Sequence, residues 1–252
     1  MTVPHAEPGR TLPVSLVGLV VPAYNEVRSI APTLREICAY FTAKPYDFEV
    51  VVAADGDDGT RELVKEMAID EPRLKVIGGP ERRGKGRGVR EGLRLVRGDV
   101  IGFADADNKT PITEFDKFEQ HFSAGADVVI GSRGLRDSRV ERPQALYRRA
   151  GSKVFALGMR AIVGLHGIAD TQCGFKFFRR AAADDIFARQ RVDGYMFDVE
   201  ILHLASRSGY RIAQVPVRWR DDGDSRLELV RGNLRNLRDL LRIRLGRYGP
   251  TV

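Results

Sequence analysis

In the first half of this sequence, short β-branched runs with little polar interruption alternate with amphipathic stretches, and few architectures accept that order. Residues 16–21 (LVGLVV), 48–54 (FEVVVAA), 74–77, 100–104 (VIGFA) and 127–130 (DVVI) read as strands. Residues 29–41, 60–69, 86–96 and 114–122 read as helices between them. Strands that are apolar on both faces and separated by helices predict an α/β fold: a mostly parallel sheet with helices on both faces. The longest apolar runs, 14–23 and 154–165, are too short to span a bilayer, so no transmembrane segment is expected.

The second half is less regular. Residues 145–165 and 196–207 read as helices, and 175–178 (FKFF) and 212–217 as strands. A C-terminal amphipathic helix is expected over 227–245, where Leu229, Val230, Leu234, Leu237, Leu240, Leu241 and Leu245 recur at helical spacing among many arginines. Such a helix ordinarily packs on a core. This density of arginine also suits anionic lipid headgroups, and 154–165 is a second candidate membrane-facing patch. Residues 1–15, with Pro4, Pro8 and Pro13, read as a flexible segment without the apolar centre of a signal peptide. No repeat or linker divides the rest, so 16–252 is expected to be one domain, with a nucleotide-binding half of about 16–131 and an acceptor half of about 132–252. Two cysteines, Cys38 and Cys173, make no disulfide scaffold and fit a reducing, cytoplasmic compartment. The formal charge of +7 favours an anionic partner without naming it. Nucleic acid is disfavoured, because the Phe and Tyr residues sit in apolar runs rather than among basic residues.

In an open parallel sheet, ligands bind beyond the carboxyl ends of the strands. Four polar segments fall at such ends: Pro22 to Glu26, Asp55 to Thr60, Arg83 to Gly88, and Asp105 to Asp107. Asp105 and Asp107 are two apart in an extended segment, so both carboxylates face one point. Two hard oxygen ligands suit Mg2+ or Mn2+ shared with phosphate. A lone D-x-D is more often a solvated turn, but this one follows a buried strand directly. The Gly84-Lys85-Gly86 loop is neither a Walker A sequence nor a dinucleotide fingerprint. Its backbone N–H groups, at a helix N-terminus, suit a diphosphate.

Together VVPAYNE, the strand-end Asp55, RRGKGRGVREG, FADAD, VVIGSR and DTQCGFKFF resemble the inverting family 2 glycosyltransferases of the GT-A fold, a Rossmann-like architecture. The nearest likeness is to the dolichyl-phosphate (polyprenyl-phosphate) glucosyltransferase and mannosyltransferase group. MFDVEILHLA and VPVRW…DSRL match the glucosyltransferase branch.

The resemblance implies that Pro22, Ala23, Tyr24, Glu26, Asp55, Lys85 and Asp105 bind the donor nucleotide, and that Asp105 and Asp107 hold Mg2+ or Mn2+. It also places Asp170, Gln172 and Lys176 on the catalytic side, near the sugar and acceptor. The second strand ends in ADGDDGT where the family form is DDGSxDGT, one residue longer and with Asp at the position of Ala54, so UDP-glucose and GDP-mannose both stay open as donors, the former favoured.

A phosphate monoester acceptor is already anionic at neutral pH and needs arginine more than a base. Arg133, Arg148 with Ser152 one helical turn on, and Ser225 with Arg226 form the expected acceptor-phosphate set. Asp170 has three readings: a base, an orienter of Lys176, or a cap on the turn before FKFF. Asp198 and Glu200 either reach the site or pair with arginines. The implied reaction moves a hexose, most simply glucose, onto a polyprenyl phosphate by a metal-dependent, inverting enzyme lying peripherally on the cytoplasmic membrane face. A soluble acceptor, and more remotely a non-catalytic basic binding protein, are the alternatives.

Overall fold

The computed structural model describes residues 14–140, 162–220, 231–246 and 248–249. Seven strands form one sheet in the order β3-β2-β1-β4-β7-β5-β8. They are β1 (Leu16–Tyr24), β2 (Asp47–Asp55), β3 (Leu74–Ile77), β4 (Val100–Ala104), β5 (Val128–Ser132), β7 (Phe175–Arg179) and β8 (Ile212–Pro216). A separate two-stranded ribbon pairs β6 (Arg139–Val140) with β9 (Arg218–Trp219). All sheet neighbours are parallel except β7, which runs against both β4 and β5.

Side chains alternate across the pleat, so each strand feeds two cores. Val17, Leu19 and Val21 of β1 face one core, which is closed by α1 (Ile30–Thr42), α2 (Thr60–Asp70) and α4 (Phe115–Ser123). Its densest part is aromatic, with the Phe115 and Phe177 ring centres 4.6 Å apart and those of Phe118 and Phe175 5.0 Å apart. Val20 faces the opposite core, which is closed by α3 (Lys85–Leu93), α5 (Arg180–Arg189), α6 (Phe197–Arg207) and α7 (Arg231–Leu245).

The expected strands and helices of the first half are present, 74–77 and 100–104 without change and the others with ends shifted by up to three residues. Three features were not anticipated, one of them the β6–β9 ribbon. Helix α5 follows β7 without a turn residue between them, so the sequence carries no punctuation there. Strand β7 is antiparallel, a direction that a four-residue apolar run does not encode. The expected helix at 145–165 lies mostly outside the described residues. At its end, Val163 and Leu165 are buried in the core rather than offered to a membrane. Of the expected C-terminal helix, 227–230 also lies outside the described residues.

Among the described residues, no helix is long and apolar enough to cross a membrane. Helix α7 buries Leu240 and Ile243, while Leu237, Leu241 and Leu245, four residues apart, remain 45%, 46% and 77% exposed. It therefore has two apolar stripes, and the protein covers only one.

Gly102 of β4 lies where β7 crosses closest. A Cβ there would stand 2.4 Å from the Lys176 carbonyl oxygen and 2.5 Å from the Phe177 ring. Gly102→Ala should therefore destabilise the protein by about 3 kcal/mol, as overpacked cores do. Chemical denaturation checks this, and a midpoint within error of the wild type would contradict the close approach.

Candidate active site

The order β2-β1-β4 reverses the sheet's winding at β1, and the loops beyond the strand ends meet there. Tyr24 closes β1 directly across from Asp55 at the end of β2. Asp105 follows β4. Because β7 is antiparallel, the 170–174 segment that leads into it arrives at the same rim, where the Asp105 backbone N–H donates to the Gly174 carbonyl at 3.0 Å. Arg133 follows β5 on that rim as well.

At the ends of β1 and β2, the Asp55 carboxylate accepts from the Arg83 backbone N–H at 2.7 Å and from the Arg83 guanidinium at 3.3 Å, which ties the β2 end to the Gly-rich loop. The Arg82 guanidinium lies over the Tyr24 ring at 4.4 Å. Asn25 holds a left-handed backbone, and its side-chain carbonyl accepts from the Asp57 N–H at 3.2 Å. Arg61 donates to the Gly56 and Gly79 carbonyls at 2.5 and 2.7 Å, bracing the ADGDDGT turn from below. Pro22 is half-buried and Ala23 buried, so they shape the floor of this region. Glu26 turns onto Ser29, whose hydroxyl donates to it at 2.6 Å, and so closes the entry to α1.

The two aspartates of FADAD are both reachable from solvent, with side chains 38% and 32% exposed for Asp105 and Asp107. Lys85 Nζ stands 2.5 Å from Asp105 Oδ1, and Lys109 Nζ 3.4 Å from Asp107 Oδ2. Burial would lower the Lys85 pKa, but the Asp105 and Asp198 carboxylates outweigh it and raise it above its ordinary value. Burial, then the neighbouring Asp105 charge, pushes the Asp107 carboxyl up, with Lys109 opposing. Among the described residues no group of three or more His, Cys, Asp or Glu could cage an ion. Two hard carboxylates with open positions fit a small divalent cation that completes its shell with phosphate oxygens and water, and do not fit a soft or fully protein-coordinated metal.

On the other side, Arg133 Nε and Nη2 donate to Asp170 Oδ2 and Oδ1 at 2.7 and 3.0 Å. The Arg133 and Gln172 backbone N–H groups each donate to the same carboxylate at 3.0 Å. Burial alone would raise Asp170, but the Arg133 charge and these hydrogen bonds bring it down to about 2. Asp170 is thus an anchor for Arg133 and a cap for Gln172, not an orienter of Lys176, and four donors leave it ill suited to take a proton.

Lys176 is a correction to the sequence expectation. It is fully buried under the sheet and has no surface to offer a substrate. Its ammonium donates to the Cys173 carbonyl at 2.6 Å and to Asp198 at 2.5 Å. Asp198 therefore pairs with a lysine inside the core. Glu200 receives the Arg191 and Val192 backbone N–H groups and the Tyr248 hydroxyl. Arg148, Ser152, Ser225 and Arg226 lie outside the described residues.

Three side chains at the rim escaped the sequence reading. Tyr195 precedes α6 on the loop that Glu200 secures. Burial raises its hydroxyl pKa, while Lys85 and Arg133 from the two halves of the site act on it together. Trp219 lies 5.3 Å from the Arg133 guanidinium and 6.0 Å from Lys109 Nζ, bridging the same halves. Lys109 follows a turn in which Asn108 holds a left-handed backbone, so no spacing rule in the sequence sets it beside Asp107.

Two consequences can be measured. A Cβ on Gly174 would fall 2.0 Å from Asp105 Oδ2, so Gly174→Ala should displace that carboxylate. Metal-dependent stabilisation by UDP should fall at least about tenfold in affinity while the unliganded melting temperature stays within a few degrees; thermal shift with UDP and Mn2+ checks this. Asp170→Asn should cost about 1–3 kcal/mol at pH 7, the loss of a charged hydrogen-bond network. Since the folded-state pKa lies below the unfolded one, the difference is complete above about pH 4 and vanishes as pH falls through about 2, which denaturation at several pH values tests.

The glycosyl transferase family 2 model matches residues 19–187. A dolichyl-phosphate beta-glucosyltransferase of Trichomonas vaginalis is 35% identical over 238 residues, covering 89% of this chain and 69% of that protein. The dolichyl-phosphate beta-glucosyltransferase of Saccharomyces cerevisiae is 30% identical over 251 residues, covering 91% and 74%. Among solved structures, glucosyl-3-phosphoglycerate synthase from Mycobacterium tuberculosis, in complex with Mn2+, UDP and phosphoglyceric acid, superposes with a TM-score of 0.68 at 19% identity, over 92% of this chain and 79% of that one. The family model spans both the aspartate pair and the strand that completes their rim, and the chain belongs to glycosyl transferase family 2: it is a glycosyltransferase with the GT-A fold.

Proposed function

We propose that this enzyme transfers glucose from UDP-glucose to a polyprenyl phosphate of the dolichyl type, inverting the anomeric carbon, at the surface of a membrane. The observation that carries this reading is the Arg133–Asp170 pair. A hydroxyl nucleophile needs a carboxylate that accepts its proton. Asp170 is held ionised near 2 by four donors and does not suit that task. A phosphate monoester attacks as the anion it already is. Arg133 then meets the acceptor phosphate, with Arg148, Ser152, Ser225 and Arg226 as its partners.

In this reading Tyr24 and Asp55 hold the base end of the donor, and Lys85 with the α3 N-terminus meets its diphosphate. Asp105 and Asp107 would hold Mg2+ or Mn2+, which supplies neutralisation of the charge gathering on the departing diphosphate. Pro22, Ala23 and Glu26 shape that pocket, and Gln172 lies between donor and acceptor. The exposed Leu237, Leu241 and Leu245 stripe on α7, with Arg238 and Arg242 one residue further on, supports contact with anionic headgroups on the cytoplasmic face. The names of the two dolichyl-phosphate relatives support the acceptor class.

The test is a transfer assay with the full chain. UDP-glucose and GDP-mannose are offered with a short polyprenyl phosphate in anionic vesicles, or with 3-phosphoglycerate in solution. The expected product is a glucosylated lipid phosphate formed from UDP-glucose, and Asp107→Ala should reduce its rate at least about a hundredfold. Turnover with the soluble acceptor alone would overturn the lipid assignment, and wild-type turnover by Asp107→Ala would overturn the metal assignment.

A further inference from the structure

Each carboxylate of the aspartate pair already has a lysine. Lys85 Nζ is 2.5 Å from Asp105 and Lys109 Nζ is 3.4 Å from Asp107. The four charges sum to zero, so a divalent cation entering alone would meet a neutral cluster and two nearby ammonium groups. Lys85 is the closer competitor, since its ammonium lies where an ion bound to Asp105 Oδ1 would have to come.

The backbone around Lys85 is fixed by the loop ahead of α6. Gly84 packs on the loop ahead of α6, where a Cβ would fall 2.3 Å from the Asp193 carbonyl oxygen, and the Arg87 N–H donates to that same carbonyl at 3.3 Å. Lys85 thus starts α3 from a clamped position, with four methylenes on which to swing its ammonium. The Phe197 ring, 5.9 Å from Nζ, lies beside that path.

We infer that Lys85 is a displaceable counterion of Asp105: it seals the metal position in the nucleotide-free enzyme and moves to the donor diphosphate when donor and ion enter together. The inference rests on the donor-site reading above. A diphosphate brings negative charge that receives Lys85, and Asp105 is thereby released to the cation. Ion and donor each strengthen the other's binding, and thermodynamic linkage makes that coupling reciprocal. The enzyme would then avoid holding a bare cation facing the acceptor side when no donor is present.

The experiment measures Mn2+ binding to the nucleotide-free full chain by electron paramagnetic resonance, for wild type, Lys85→Met, Lys85→Arg, and Lys85→Met combined with Asp105→Asn. UDP binding is measured by calorimetry with and without Mn2+. Lys85→Met should bind Mn2+ about tenfold more tightly than wild type, Lys85→Arg should restore the weak binding, and adding Asp105→Asn should abolish the gain. Wild type should bind UDP at least about tenfold more tightly with Mn2+, and Lys85→Met should show a smaller enhancement. If UDP binding in wild type responds to Mn2+ but Lys85→Met has wild-type Mn2+ affinity, or its gain survives Asp105→Asn, the counterion role is wrong and the donor site stands. If UDP binding is indifferent to Mn2+ in wild type, the metal reading fails and takes this inference with it. Thermal unfolding without ligand controls for folding, and all variants should melt within a few degrees of wild type because the Lys85 side chain is at the rim.

Discussion

Gly102 has no side chain, so the Phe177 ring can lie against β4 and β7 can enter the sheet between β4 and β5 in the reverse direction. That reversal brings residues 170–174, which precede β7, to the rim where the parallel strands end. A parallel β7 would have carried them to the far side of the molecule. The Gly174 carbonyl then receives the Asp105 N–H, and the Asp170 carboxylate holds Arg133. The Asp105 and Arg133 sides of the rim are neighbours because of the direction of one strand.

The same strand carries Lys176 into the core, where it pairs with Asp198 of α6. Burying two charges is expensive, and an ion pair of this kind seldom adds net stability over a well-packed apolar pair. Its effect here is on position. The pair joins β7 to α6, and the loop before α6 carries Tyr195 and clamps Gly84 at the start of α3. Glu200, two residues further, fastens that loop by accepting the Arg191 and Val192 backbone N–H groups. Asp198 also bears on Lys85 electrostatically, so buried and exposed charges form a single alternating series from core to rim.

Much of this was legible in the sequence, and the limits have physical causes. The five apolar runs and the polar segments after them gave the sheet and its functional edge, because burial on two faces leaves a pattern that solvent-facing strands do not. FADAD gave the two carboxylates, but not through the period-two spacing of an extended run: β4 ends at Ala104, and the Asn108 N–H closes a turn on the Asp105 carbonyl at 3.4 Å. FKFF gave a strand but not its direction, since pairing sense depends on neighbours far away in the chain. Lys176 was placed by the resemblance of DTQCGFKFF, and its burial was not legible because the partner that makes it tolerable, Asp198, lies 22 residues on. Tyr195 and Trp219 were missed because an aromatic residue in an ordinary loop carries no local sign that tertiary folding will set it beside Arg133 and the lysines.

Charge on the rim is arranged by pairing rather than by net sign. Although the chain has a formal charge of +7, the cations at the centre of the site, Lys85, Lys109 and Arg133, each lie against a carboxylate. These pairs differ in kind. Arg133 and Asp170 share two parallel hydrogen bonds in a fixed plane, supported by two backbone N–H groups, so the guanidinium is held in place with its remaining N–H groups available to an anion. Lys85 reaches Asp105 from a flexible stem beside the Phe197 ring, and Lys109 reaches Asp107 at a longer distance. Under the proposed function, the planar, doubly held guanidinium would align the acceptor phosphate, and the lysine on its longer stem would grip the diphosphate and later release it. Planar arginine and flexible lysine are therefore suited to different steps of the same transfer.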